Sequence, residues 1–150
     1  MRRERGHAML ELALSAGVMV SCLAGTFQFG YIFYVYNQLV TAVGNGGRYA
    51  AMRTYRAAGA ADLEKARAAI RNMVVYGDAS PTDLTPAIAN LRPENVEVEW
   101  VKDSSGAPSA VHVAIRNFPV NAIFKRISLD GRPGVEFPFV GRYAPSESER

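Results

Sequence analysis

The sequence predicts an α+β protein: a long N-terminal helix, a second helix, and a small antiparallel β-sheet of about three strands. Three observations predict it. No Asp, Glu, Lys or Arg occurs from Leu12 to Gly47, a run of 36 residues. "ADLEKARAAIRNMVVYG" then carries apolar residues at helical spacing. Finally "ENVEVEWV" and "AVHVAIRNF" alternate apolar and polar residues, as half-buried strands do.

The first element is too apolar for an ordinary soluble helix. A helix crossing the hydrocarbon of a bilayer needs about 20 apolar residues, and Ala8 to Phe29 supplies that length with Glu11 as its one charge. Phe27, Phe29, Tyr31, Phe33, Tyr34 and Tyr36 follow, ring types that gather at membrane–water interfaces. Three arginines, Arg2, Arg3 and Arg5, precede the run, and the next downstream charge is Arg48. That asymmetry places the N-terminus in the cytoplasm and the remainder outside. A cleaved secretory signal would have a shorter apolar core, whereas here the apolar character continues through Val43. "MVSC" resembles a lipobox ending at Cys22, but the following "LAGTFQFGYIFYVY" is no polar tether.

Beyond the span the helix is expected to turn amphipathic, with Leu39, Val43, Tyr49 and Met52 sharing a face. Gly44, Gly46 and Gly47 each cost about 1 kcal/mol against Ala in a helix, so a hinge or break is expected near 44–47. In the second helix Leu63, Ala66, Ile70, Met73 and Val74 fall on one side, and Gly77 is a stop signal. "DASPTDLTPAIANLRP" reads as loop, and the two alternating segments as a hairpin around "SSGAPS". "PVNAIFKRISLDGRPG" is expected to be a crossing loop or short helix. "VEFPFVGRYA" reads as a third strand, sent toward an edge by Pro138. The tail "PSESER" is expected to be disordered.

The composition excludes several function classes. A net charge of +3, with no basic stripe interleaved with aromatics, does not suggest nucleic-acid binding. The single cysteine, Cys22, allows no intrachain disulfide. His7 and His112 are the only histidines, and neither has a ligand set at metal-binding spacing. His112 is expected at a solvated or edge position, and Glu94, Glu97 and Glu99 read as solubilising. The serines lack a G-x-S-x-G context. "GNGG" lacks the strand and the Lys-Ser/Thr of a phosphate loop. No catalytic residue, metal or cofactor is expected.

The membrane helix carries two patterns of its own. An ionised carboxylate at the centre of such a helix costs about 2.5–3.5 kcal/mol, and less near its ends. Arg5 could reach back toward Glu11. A cut after Gly6 offers another partner, because His7 would then be residue one and Glu11 residue five. The new α-amino group, cationic near neutral pH, would lie about one helical turn from Glu11, or could meet the Glu11 of a neighbouring subunit. Separately, Ala13, Gly17, Ser21 and Gly25 recur every four residues. Such a stripe lets two membrane helices approach closely, although small residues are common in these helices anyway.

"RRERG" before "HAMLE" resembles a type IV prepilin (class III) signal. The resemblance implies cleavage by a prepilin peptidase between Gly6 and His7, and a role for Glu11 in subunit assembly. His7 departs from the Phe usual at the first mature position of major pilins. The segment from Gly6 to Arg53, ending in "GGRYAAMR", resembles the N-terminal region of TadE-like proteins, minor pseudopilins of the tight-adherence (Tad/Flp pilus) system. That resemblance covers about the first third of the chain. It implies a minor pseudopilin of the bacterial inner membrane, a structural or priming subunit for assembling an adherence pilus. Its partners would be the prepilin peptidase, other pilins or pseudopilins, Tad assembly-platform proteins and the lipid bilayer. The organisation expected is a cleaved leader at 1–6, a transmembrane helix at 7–33, an extracytoplasmic pilin-like domain at 34–144, and the tail at 145–150. The alternative is an unprocessed, signal-anchored interaction subunit of an envelope complex.

Overall fold

The computed structural model describes residues 2–53, 55–56, 60–104, 106–122 and 124–144. The element order is α1 (Arg2–Met52), β1 (Tyr55–Arg56), α2 (Ala60–Tyr76), β2 (Val96–Lys102), β3 (Pro108–Ile115), β4 (Phe118–Asn121), β5 (Arg126–Leu129), β6 (Gly134–Pro138) and β7 (Tyr143–Ala144). A short 3-10 turn, Pro93–Asn95, precedes β2. The fold is α+β, with a long apolar N-terminal helix, a second helix and small antiparallel sheets. The expected tail, 145–150, lies outside the described residues.

α1 runs unbroken for 51 residues, about 77 Å at the helical rise. The break expected at 44–47 does not occur, and the reason is packing. A Cβ on Gly46 would collide with the Cγ2 of Val74 on α2, and one on Gly47 would lie 2.7 Å from the Phe137 ring of β6. The two glycines let α1 lie close to α2 and to the sheet, and that burial outweighs their poor helix propensity.

The apolar face of α1 is also phased differently from the expectation. Leu39 and Val43 are buried as expected, but Met52 is exposed while Ala50 and Ala51 are buried. Steps of three and four residues from Val43 lead through Gly46 and Gly47 to Ala50, so the close glycine contact sets the phase. In α2, Ile70, Val74 and Val75 enter the core. Gly77 ends this helix with φ +75°, its N–H donating to the Met73 carbonyl at 3.1 Å. Glycine adopts that left-handed conformation without a Cβ penalty.

The main sheet has strand order β2-β3-β6, all antiparallel, with Val98 opposite Val113 and Val113 opposite Val135. Val96, Val98, Val111, Val113 and Ile115 join Leu39, Val43, Ile70 and Val74 in one core. β6 is an edge strand, as Pro138 suggested.

"PVNAIFKRISLDGRPG" is neither crossing loop nor helix. It contributes β4 and β5, an antiparallel hairpin pairing Phe118 with Leu129 and Asn121 with Arg126. Phe118 and Val120 are buried in the common core, so the hairpin's base is fixed. The segment read as one third strand is two: β6, and then β7, which pairs in parallel with β1.

Candidate functional site

One helix in the structure is long and apolar enough to cross a membrane. Its apolar side chains face outward: Met9, Leu10, Leu12, Leu14, Val18, Met19, Val20 and Leu23 are all exposed. The rings of Phe27, Phe29, Tyr31, Phe33 and Tyr34 are exposed too, and Val35 is the first buried residue along α1. Soluble proteins rarely leave so large an apolar surface open, and such surfaces mark a membrane or partner interface.

The sequence-selected residues lie at the free end of this helix. Gly6, His7 and Glu11 are exposed and helical, and nothing lies within 4 Å of a Cβ built on Gly6. Among the described residues Glu11 has no hydrogen-bond or ion-pair partner; the side chain of Arg5 is outside that set. Ala13, Gly17 and Ser21 are exposed and Gly25 partly so, and a Cβ on Gly17 or Gly25 would meet open space. The Ser21 hydroxyl donates to the Gly17 carbonyl at 2.8 Å, and the Thr26 hydroxyl to the Cys22 carbonyl at 3.0 Å. These hydroxyls satisfy themselves on their own helix, which removes the main penalty for placing them in lipid.

The contact of Gln28, a polar residue within the apolar run, is one that sequence reasoning missed. Its Oε1 accepts from the Phe124 N–H at 3.0 Å, and its Nε2 donates to the Lys125 carbonyl at 3.4 Å. The tip of the β4–β5 hairpin is thereby held against α1. A polar side chain inside an otherwise apolar helix was the available signal.

On the α+β domain, His112 is half-buried on the central strand β3, not at an edge, with Glu99 and Glu136 as its register neighbours. Glu97 accepts from the Arg116 guanidinium at 2.6 Å. That bond, with the charge of Glu97, pushes the Arg116 pKa upward. Among the described residues no cluster of three or more His, Cys, Asp or Glu could hold a metal ion. A shallow groove of about 280 Å³ lies between α1, α2 and β2, where the Arg53 guanidinium stacks 4.5 Å from the Tyr49 ring and that of Arg67 lies 5.7 Å from Trp100.

Residues 6–48 are similar to a known family, matching the family model described as TadE-like protein. No curated protein and no solved structure matches the chain. The matched segment begins at Gly6 and contains Glu11, the small-residue stripe, the exposed aromatic rings and Gln28.

Proposed function

From that TadE-like segment as premise, we propose that the protein is a minor pseudopilin, a structural or priming subunit of a Tad/Flp-type adherence pilus. It is anchored by residues 7–33, with its N-terminus in the cytoplasm and residues 34–144 outside the bacterial inner membrane. The observation that carries this reading is the placement of Gly6 and Glu11 at the head of an exposed apolar helix. Glu11 lacks a partner among the described residues of its own chain, and a buried charge without one is costly. Cleavage after Gly6 creates a cation about 6 Å away along the helix axis, or offers one to a neighbouring subunit. Pairing the two neutralises both charges and sets the axial register of adjacent helices. The stripe from Ala13 through Gly25 supplies a face on which another helix can seat closely.

In this reading the outer domain is structural, with Glu97 paired to Arg116 on the sheet face. The prepilin peptidase, other pilins or pseudopilins and the assembly platform are the partners this reading implies.

The test separates processing from assembly. Gly6→Ala should block shortening of the chain when it is co-expressed with a prepilin peptidase. Glu11→Gln should still be shortened, yet fail to co-purify with the other pilus subunits and reduce surface pili. If Glu11→Gln assembled like the wild type, the carboxylate would not be the assembly residue. A chain insensitive to both substitutions would favour the unprocessed, signal-anchored subunit.

A further inference from the structure

The β4–β5 hairpin reaches a depth that has a consequence for the bilayer. Its base is locked into the core by Phe118 and Val120, while its tip is clamped to Gln28 by two hydrogen bonds. Gln28 precedes Val35, the first buried position of α1, by two helical turns, so the tip descends below the rest of the domain. Measured the other way, Gln28 stands about 20 residues, or about 30 Å, above the first residues of the apolar run. That is the thickness of the hydrocarbon. With residues 29–33 of the anchor in the headgroup region, the tip therefore lies at the boundary between acyl chains and headgroups on the C-terminal side of the helix.

The composition of the tip suits that level. Phe124 is 68% exposed although the domain has a core able to bury such a ring. Lys125 and Arg126 beside it are exposed, and the Arg126 guanidinium donates to the Asn121 side chain at 2.7 Å. An aromatic ring flanked by two cations fits a bilayer surface with anionic headgroups: the ring enters the acyl boundary and the cations meet phosphates. The clamp also satisfies the Gln28 amide, which would otherwise lose its hydrogen bonds on leaving water.

We propose that the tip of the β4–β5 hairpin is a second membrane contact, inserting Phe124 into the interface beside α1 and fixing the tilt of the outer domain on the bilayer. The proposal rests on the membrane-anchor reading above, so the experiment tests the two separately.

The full chain is reconstituted in nanodiscs of phosphatidylcholine and phosphatidylglycerol, with Trp100→Phe removing the sole tryptophan. Single indoles are then introduced by Phe124→Trp, Val18→Trp and Val140→Trp. Quenching is read with lipids spin-labelled either near the headgroup or near the chain end. Phe124→Trp should lose emission mainly to the shallow label and shift to the blue relative to Val140→Trp, which should lose none. Val18→Trp should be quenched by the deep label. Quenching at Val18→Trp but none at Phe124→Trp overturns the hairpin contact and leaves the anchor intact. Stronger quenching of Phe124→Trp by the deep label overturns the interfacial depth. Absence of quenching at both positions overturns the anchor and the hairpin contact together. If Trp100→Phe does not fold, the native Trp100 is kept and the emission added by each new indole is read as a difference.

Discussion

Gly46 and Gly44 are two residues apart in one helix and should respond oppositely to the same substitution. A Cβ at Gly44 meets nothing within 4 Å, whereas at Gly46 it collides with the Val74 side chain. Gly44→Ala should therefore stabilise the domain by about 1 kcal/mol through helix propensity alone. Gly46→Ala should lower stability, because overpacking costs about 1–3 kcal/mol and Val74 is stiff at χ1. Urea unfolding of each variant in detergent decides both signs. Asp83 offers a pH-dependent counterpart. Its carboxylate accepts from the Thr85 hydroxyl at 2.7 Å and the Thr85 N–H at 2.9 Å, and these bonds hold its carboxyl below the usual range. A carboxyl lowered in the folded state stabilises above its ordinary pKa, and that contribution is lost as pH falls through the folded-state value. The loop around Asp83 should thus loosen only in strong acid. Thr85→Ala should raise the Asp83 midpoint in a carbon-detected NMR titration, and an unmoved midpoint would show that the hydroxyl does not set it.

The elements differ in how plainly the sequence announces them. β2 and β3 were legible because Val96, Val98 and Trp100 alternate with Glu97 and Glu99, and Val111, Val113 and Ile115 recur at every second position, with Val frequent among them. β4 and β5 were not, since each has four residues and Pro119 interrupts the first. Their signal was present but short: Phe118 and Val120 face inward, and Ile127 and Leu129 repeat the same period. The false break in α1 came from weighing glycine propensity without knowing that another helix and a strand press on that point. At the candidate site, Gly6, His7 and Glu11 were selected by their spacing and their resemblance to a prepilin signal, and the structure places them exposed at the head of α1. The Gln28 clamp could not be found this way, as its partner lies 96 residues away. Phe118 is the element-scale test. With 2% of its surface exposed, Phe118→Ala should cost about 3–5 kcal/mol and release the hairpin from α1. Faster amide exchange at Phe124 would report that release, and unchanged exchange there would show that Gln28 holds the tip unaided.

At the scale of the whole molecule, we read the protein as a helix whose two ends have different solvents. From Val35 onward α1 is the spine of an α+β domain; before it, the helix leaves Met9, Leu10, Leu12, Leu14, Val18, Met19, Val20 and Leu23 exposed among the described residues. We assign that exposed length to lipid and to neighbouring helices, and propose the N-terminal amine freed by cleavage as the counter-charge of Glu11. The proposed assembly depends on a cut between Gly6 and His7. The most direct measurement is the intact mass and N-terminal sequence of the protein purified from cells that contain its prepilin peptidase. The account predicts a mature chain beginning at His7, six residues shorter than the encoded one. A mature protein that still carried Met1 to Gly6, or that began at any other residue, would contradict it.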